Sequence, residues 1–421
     1  MKNLFLTGEI GVGKSTLLKK LIEKINTSIG GYVTERVIDN NTLKYNLISL
    51  YDGTEEYTIS KMPLNGCSND IEIFLSSFNE GIFSVLEKSF HERNAIIMDE
   101  LGFMESKAYK FKDIVFKLLD SSNTVIGVLK KRDCEFLNSI RNRNDVVILE
   151  VTKENRDCLL EELLAILNKF EVPLKKESAF YWSKELIQFY DEAISYKKCE
   201  YIKTIIDEIK KYVPNLKDKT LLDVGSGIGA FSIPLSKEVK HITAVDSSFN
   251  MLNFFRKKAK AKEIHNIDFI LSPFEKDNIP PHDITLSIHG GGATSEESLF
   301  SFYNLIVHYG FIAIPTSHNF NGEILYKMLD RPIRKFNISD TLENLQLLNC
   351  KYEHKELKYN FPQFFKNYDD ALKFFKEHFK IQSKSEICIL KEFINKYIYK
   401  YEDGYLFDNI KTSSFIVINK T

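Results

Sequence analysis

A chain of 421 residues, 43% hydrophobic and 27% charged, has the apolar material for more than one core and too little polar bias to be a disordered protein. Its 57 basic and 58 acidic residues leave a formal net charge of −1, which offers no basic footprint and argues against a nucleic-acid partner. Cys67, Cys134, Cys158, Cys199, Cys350 and Cys388 form no C-x-x-C pair, no apolar run approaches the roughly 18 residues of a membrane span, and no cleavable signal precedes the first strand; a soluble, cytoplasmic protein with reduced thiols and no membrane partner is expected.

The first element is a short apolar strand from Leu4 that runs through LFLTGEIGVGKST into a lysine-rich helix beginning near Lys14. Gly8, Gly13, Lys14 and Ser15 satisfy G-x-x-x-x-G-K-[ST], with the strand before and the helix after that this motif requires. The glycines let backbone N–H groups turn inward around a polyphosphate, the helix N-terminus adds the positive end of its dipole, and Lys14 reaches the outer phosphates. Ser15 is placed to hold magnesium, and Gly11 and Thr16 complete the predicted nucleotide contacts.

GGYVTERVIDNN and YNLISLYDG follow, two β-rich runs around the turn-prone Asp39 to Asn41, and predict a hairpin. Asn94 to Ser106, NAIIMDELGFMES, predicts a buried strand ending in Asp99-Glu100. In a P-loop enzyme an acid at the carboxyl end of such a strand reaches magnesium and a second carboxylate orients the attacking water, roles that suit Asp99 and Glu100 in that order. TVIGVLKK predicts another buried strand, and SIRNRNDVVILEVTKENRDCLLEELLAIL a basic turn, a strand and an amphipathic helix from about Arg156. Strands alternating with helices predict a parallel α/β sheet.

The segments FLTGEIGVGKST, GYVTERV, IIMDELGFME and IRNRNDVVILEVTKENRDCLL stand in an order and spacing that resembles the small cancer-related nucleoside-triphosphatase family of P-loop proteins, over nearly all of the first 168 residues. The resemblance implies magnesium-dependent hydrolysis of nucleoside triphosphates such as ATP and GTP to diphosphates, with little discrimination between bases. It puts Gly8, Gly13 and Lys14 on phosphates, Ser15 and Asp99 on Mg2+, and Glu100 in place as the water-activating base. Phe103 stands where the family commonly has a lysine, and Ile38 where it has an arginine. Arg36, Arg132, Arg141 and Arg143 are then the candidates for neutralising transition-state charge.

Asn168 to Ser178, NKFEVPLKKES, joins a proline to a charge run and predicts the boundary: residues 1–168 as the P-loop domain, 169–178 as a linker, 179–421 as a second domain. The halves are expected to fold separately when cut near Pro173. Ala179 to Tyr212 predicts helices, whose Tyr181, Trp182, Phe189, Tyr190 and Tyr196 serve either as core or as a lid over a small substrate. Thr220 to Phe231, TLLDVGSGIGAF, predicts a strand ending in Asp223, a close-approach loop with glycines at 225, 227 and 229, and a helix. With Ala230 the loop also completes G-x-G-x-x-A, a nicotinamide-type fingerprint. An acid directly before the loop would repel a pyrophosphate, and it suits the cationic amino-acid end of S-adenosylmethionine. Asp246, closing HITAVD, is placed to accept hydrogen bonds from two ribose hydroxyls.

From roughly Tyr181 to Ile418 the chain resembles the class I S-adenosylmethionine-dependent methyltransferases, most specifically in LLDVGSGIG and AVDSS. The resemblance implies a Rossmann-like sheet with Asp223, Gly225, Gly227 and Asp246 on S-adenosyl-L-methionine. It assigns FILSPFEK to the third strand, with Ser272 where many members place an acid, HDITLSIHGGG to the fourth, and GFIAIPTSH to the fifth after a helix ending at Tyr309-Gly310. CKYEHKELKYNF and SSFIVIN become the closing pair of strands, with the helical DDALKFFKEHF region between them. His289 falls at the end of the fourth strand, beside the donor methyl in this fold, as a catalytic general base or a substrate contact. The HGGG string also resembles an esterase oxyanion-hole loop, a reading set aside because no G-x-S-x-G elbow exists. Neither an N-P-P-[YF] string after the fourth strand nor a Pro-Cys nucleophile is present, which together with the neutral charge points to a small-molecule methyl acceptor.

The expectation is an α/β protein of two domains, a P-loop NTPase parallel sheet followed by a Rossmann-like class I methyltransferase, both active. The alternative is a small-molecule kinase or a regulatory nucleotide-binding module fused to an RNA or protein methyltransferase.

Overall fold

The structure, a computed structural model, describes residues 2–53, 55–65, 70–176, 181–290, 295–316, 321–332 and 338–420. Cys67, the predicted boundary at Ser178 and Ala179, Gly291 and Gly292 of the HGGG string, and Ser317 and His318 of the fifth-strand segment lie outside them. The chain divides into two compact units, Met1–Tyr181 with Asp246–Phe249 and Asp268–Asn278, and Trp182–Val245 with Asn250–Ile267 and Ile279–Thr421.

In chain order the first part runs β1 (Asn3–Thr7), α1 (Lys14–Ile22), β2 (Ile29–Asp39), β3 (Thr42–Ser49), β4 (Glu56–Pro63), β5 (Glu72–Ile73), α2 (Phe83–Glu92), β6 (Ala95–Leu101), α3 (Tyr109–Leu119), β7 (Thr124–Leu129), α4 (Glu135–Arg141), β8 (Val146–Glu150) and α5 (Leu159–Lys169). Its sheet has the order β5-β4-β3-β2-β6-β7-β1-β8. The unbroken apolar runs of β1, β6 and β7, including Leu4, Phe5, Ile96, Ile97, Val125 and Ile126, are buried on both faces, as parallel strands covered by helices require. The hairpin expected from Asp39 to Asn41 forms: Asp39 pairs with Thr42, and Asn40 and Asn41 take φ of 44° and 63°, the left-handed pair of a tight hairpin turn. The final helix begins at Leu159 rather than near Arg156. The Asn155 side chain accepts from Thr152 N at 2.8 Å and donates to Glu150 O at 2.8 Å, which holds a turn where the helix was expected to start.

The rest of the chain runs α6 (Lys184–Ser195), α7 (Tyr201–Tyr212), β9 (Thr220–Val224), α8 (Ser232–Leu235), β10 (His241–Asp246), α9 (Phe249–Ala261), β11 (Ile267–Leu271), β12 (His282–Ile288), α10 (Glu296–Asn304), β13 (Ile306–Pro315), α11 (Asn321–Met328), α12 (Ile338–Leu347), β14 (Tyr352–Asn360), β15 (Gln363–Phe365), α13 (Tyr368–His378), α14 (Lys384–Tyr397), β16 (Tyr399–Tyr401), β17 (Gly404–Phe407) and β18 (Ile410–Asn419). The sheet order β11-β10-β9-β12-β13-β18-β14 reverses direction of winding between β9 and β12, which opens a crevice at the carboxyl ends of those two strands. β14 and β18 are the expected closing pair, antiparallel from Tyr352↔Ile418 to Asn360↔Ile410.

One expectation fails here. The helix before the fifth strand ends at Asn304, and Tyr309 and Gly310 lie inside β13, where Gly310 pairs with Thr285 and Ile418. Gly310 marks no helix stop: a Cβ there would lie 2.3 Å from Ile306 Cδ1, so the glycine answers to packing within the strand. Between β14 and β18 the expected helix is α13, joined by α14 and a small antiparallel sheet, β15-β17-β16. This insertion has its own aromatic core in Phe365, Phe375, Phe393 and Phe407. Among the described residues no helix is long and apolar enough to cross a membrane.

Candidate functional site

The P-loop leaves β1 at Gly8, whose φ of 141° and close fit rule out a side chain: a Cβ would sit 2.3 Å from Val151 O. At the tip Ile10 is fully exposed and Gly11 has open space around it, so the backbone N–H groups are accessible to a ligand. Gly13, at φ 106°, caps α1, and Lys14 opens the helix with its side chain folded back, Nζ donating to Gly8 O at 2.9 Å and Glu9 O at 2.7 Å. Burial pushes the Lys14 ammonium below its usual range. An anion that replaced those two carbonyls would relieve this, since burial penalises the ammonium and a negative partner favours it. Thr16 is exposed on the first turn of α1.

The two predicted magnesium residues meet. Ser15 Oγ donates to Asp99 Oδ1 at 2.9 Å, across a sequence gap of 84 residues. Asp99 is fully buried near the end of β6, its other carboxylate oxygen receives Thr34 N at 3.4 Å, and burial lifts its pKa to about 6. Glu100, the next residue, meets Lys130 Nζ at 3.2 Å. Buried Glu105 accepts from Gly102 N and is raised to about 7 by burial. The four candidate arginines separate. Arg143 is bound to Asp145 at 2.8 Å and Asp120 at 2.6 Å, and the guanidinium of Arg132 lies 4.2 Å above the Phe103 ring. Arg141 donates to the carbonyls of Arg132 and Lys130, and Arg36 is exposed on β2. Lys130 and Glu105 escaped the sequence reading, although both lie within quoted segments.

In the second unit Asp223 is buried in β9, its Oδ2 accepting from Ser232 Oγ at 2.5 Å. Gly225 and Ser226 donate to Val245 O at 2.9 and 3.0 Å, which folds the glycine loop back over the strand ends. Gly225 has φ 70° and lies against Gly290, whose Cα would be 2.6 Å from an added Cβ; Gly227 faces open space, with nothing nearer than Met251 Cε at 3.9 Å. Asp246, which groups with the first unit, is the last residue of β10, where its Oδ1 accepts from Ser248 N at 2.8 Å. Ser272 donates its backbone N–H to Asp246 O at 3.1 Å and its hydroxyl to Pro273 O at 2.9 Å.

His289 follows β12, as expected, in a left-handed conformation at φ 56°. Its Nε2 is 2.7 Å from Ser413 Oγ on β18, and Tyr359 Oη on β14 is 2.6 Å from the same hydroxyl. The Tyr201 ring stacks on the imidazole at 5.2 Å and 24°. Burial pushes the His289 pKa down to about 3, so the ring is neutral at physiological pH. Of the predicted aromatic set, Tyr190 faces this cluster through Phe361, stacked at 6.2 Å, while Phe189 packs on Phe365 and Phe374 and Tyr196 on Phe364, in the core of the insertion.

Residues 3–164 match the NTPase family, and residues 221–295 match a methyltransferase domain. The nucleoside-triphosphatase THEP1 of Thermotoga sp. (strain RQ2) is 36% identical over 165 residues, 39% of this chain and 94% of the relative. The cancer-related nucleoside-triphosphatase homolog of Mus musculus is 28% identical over 183 residues, 39% of this chain and 96% of the relative. Among solved structures, THEP1 from Aquifex aeolicus is 29% identical at a TM-score of 0.35, covering 39% of this chain and 98% of that one. An N-methyltransferase of Haemonchus contortus is 12% identical at a TM-score of 0.42, covering 80% of this chain and 88% of that one.

Proposed function

We propose, on the premise that this chain belongs through its first 164 residues to the nucleoside-triphosphatase family of THEP1 and carries a methyltransferase domain besides, that it hydrolyses nucleoside triphosphates to diphosphates with magnesium and transfers a methyl group from S-adenosylmethionine to a small-molecule acceptor. The observation that carries the first activity is the Ser15–Asp99 hydrogen bond, which joins the P-loop to the acid-bearing strand at the point where a hard cation needs oxygen ligands. Magnesium is usually held by one or two carboxylates with substrate phosphates and water, and this donor pair fits it; the ion, when bound, draws negative charge from the phosphates. Lys14 exchanges its loop carbonyls for phosphate oxygens, the α1 N-terminus holds the same anion, and Glu100 orients the water and takes its proton. Phosphate release from Mg-ATP without any acceptor tests this reading; a chain that releases diphosphate only when a small alcohol or amine is added is a kinase instead.

For the second activity, the buried Asp223 supports binding of the cationic end of the donor, and Asp246 binding of its ribose. Alignment of donor and acceptor supplies much of the barrier reduction in methyl transfer, and a base matters only for a protonated acceptor. With its pKa pushed down to about 3, His289 is too weak a base for that role; neutral and held at Nε2 by Ser413, it suits the other role expected of it, a substrate contact through its second nitrogen. The half-buried, aromatic surroundings of His289, formed by Tyr190, Tyr201 and Phe361, support a small acceptor over a polymer. We place the boundary between the domains at residues 169–178, which the division of the chain at Tyr181 supports. A cytoplasmic location is our reading of the free thiols Cys134, Cys158, Cys199, Cys350 and Cys388.

Asp246→Ala should weaken S-adenosylmethionine binding by about 1 to 3 kcal/mol, because ribose hydroxyls lose a charged acceptor. Calorimetry against both S-adenosylmethionine and NAD decides, and tight binding of NAD alone would overturn the donor assignment.

A second expectation follows from the His289 pKa of about 3. The unfolded ring protonates near its ordinary value of about 6.5, so the neutral folded ring contributes stability that is complete above that pH and is lost as pH falls from about 6.5 toward 3. His289→Asn should flatten this loss, by up to about 1.4 kcal/mol per pH unit across that window, when denaturant midpoints are compared at neutral and acidic pH. An unchanged slope would mean that the ring is solvated and protonates normally.

A further inference from the structure

Hydrolysis of a triphosphate gathers negative charge on the transferring phosphoryl group and the leaving diphosphate, and cations that meet this charge in the transition state are worth about 10³ or more in rate. Lys14 supplies one. Of the candidate arginines, Arg143 is held by two aspartates, Arg141 by the carbonyls of Lys130 and Arg132, and Arg132 on the face of Phe103, while Arg36 is exposed on β2. The cation that reaches the catalytic carboxylate is Lys130, whose Nζ lies 3.2 Å from Glu100 Oε2 with its side chain 29% exposed.

Its placement is built by the fold. Lys130 directly follows β7, between the carboxyl ends of β6 and β1, which carry the acid pair and the P-loop. Its backbone N–H donates to Leu101 O at 2.9 Å, its carbonyl accepts from Arg141, and the neighbouring Leu129 carbonyl accepts from Thr7 Oγ1 at 3.0 Å, one residue before the P-loop's first glycine. The aliphatic stem crosses Gly102, where a Cβ would come within 2.8 Å of Lys130 Cδ, and passes beside the Phe103 ring, 5.9 Å from Nζ. Phe103 therefore brings no charge of its own but walls a channel for the lysine from the next strand. Lys14 also feels the Lys130 charge, so the two ammonium groups converge on one region.

We propose that Lys130 is a catalytic residue of the triphosphatase, moving from Glu100 to the γ-phosphate oxygens when a triphosphate is bound and neutralising the charge that forms there. As the water oxygen bonds to the γ-phosphorus, the bond from that phosphorus to the β–γ bridging oxygen breaks, the diphosphate keeps the electron pair, and the water's proton passes to Glu100. This rests on the hydrolytic reading of the first unit.

The test uses the full chain with Lys130→Met and Lys130→Arg, each made alone and with Glu100→Gln. Phosphate release is followed, together with affinity for Mg-ADP and for Mg-ADP with aluminium fluoride, a mimic of the transferring phosphoryl group. Lys130→Met should slow hydrolysis by about 10² to 10³, weaken the aluminium fluoride complex tenfold or more with either residue at 100, and leave Mg-ADP affinity within about threefold, while Lys130→Arg recovers part of the loss. The Mg-ADP measurement also reports that the variants fold. If the effect on the fluoride complex disappears when Glu100 is already Gln, Lys130 acts only through Glu100 and the assignment is wrong. An equal loss of Mg-ADP and fluoride-complex affinity would make it a ground-state binding residue, which also overturns it. No phosphate release from the unaltered chain would sink the hydrolytic reading itself, and this assignment with it.

Discussion

Lys14→Ala should abolish phosphate release and weaken Mg-nucleotide binding together, whereas Glu100→Gln should keep Mg-nucleotide binding and lose turnover by about 10²-fold or more. The two side chains differ in what they touch. Lys14 is buried against its own loop, with Nζ shared between Gly8 O and Glu9 O. Its loss removes an interaction made in ground state and transition state alike, and also leaves those two carbonyls facing an anion. Glu100 pairs instead with Lys130. Replacing it with Gln keeps the shape and removes only the capacity to take a proton, so the cost falls on kcat. Stopped-flow phosphate release with fluorescent-nucleotide titration separates the two. Undiminished turnover in the Glu100 variant would show that another group activates the water.

Gly225→Val should be severely damaging to the glycine loop of the second unit. A β-branched residue at φ 70° is strained by about 1 to 2 kcal/mol, and its Cβ would stand 2.6 Å from Gly290 Cα and 2.9 Å from Gly290 O, backbone that cannot step aside alone. The loop and the end of β12 must then part, taking His289 with them. S-adenosylmethionine binding should fall by at least about 10²-fold, and methyl transfer should be lost. Gly227→Ala is the matched control: its φ is 55° but its nearest neighbour is 3.9 Å away, so only the backbone strain is incurred. Equal donor affinity in Gly225→Val and the unaltered chain would mean that the donor is held elsewhere.

What the sequence disclosed and what it concealed follow from the distance over which each feature is encoded. The P-loop, the apolar strand closing on Asp99-Glu100, and the loop from Asp223 to Gly229 are contiguous, and each combines a strand ending with the residue types its ligand chemistry demands. The meeting of the first two was also foreseeable in kind, because parallel strands bring their carboxyl ends to one edge, and Ser15 duly bonds Asp99. Lys130 was hidden because its relevance depends on β7 lying beside β6, a neighbour relation that no local pattern prints. The support of His289 was further out of reach: Ser413 is 124 residues away and Tyr359 is 70, on two antiparallel strands that close the sheet. Where local reasoning erred, at Tyr309-Gly310, it read a glycine as a helix terminator. In the strand it packs closely against Ile306 and against Phe302 of α10.

The insertion between β14 and β18 leaves the sheet through one hairpin stem and packs beyond it against Phe189 of α6 and Leu325 of α11. Asn360 faces Ile410 across the ladder, Phe361 N donates to Asn409 O at 2.7 Å, and Asn409 Nδ2 returns to Phe361 O at 3.1 Å. Partners in such a ladder stand about 5 Å apart, a span that a tight turn closes. Because both ends of the insertion leave from one rung, its length has little bearing on the entropy of closing the ladder, which grows only with the logarithm of loop size. Chain beyond Phe361 and Asn409 can therefore change in length, wherever its packing on α6 and α11 is kept, while Tyr359 and Ser413 stay in register beside His289. The stem works as a graft junction: substrate preference could diverge among relatives through whatever is carried above it, with the chemistry below left in place.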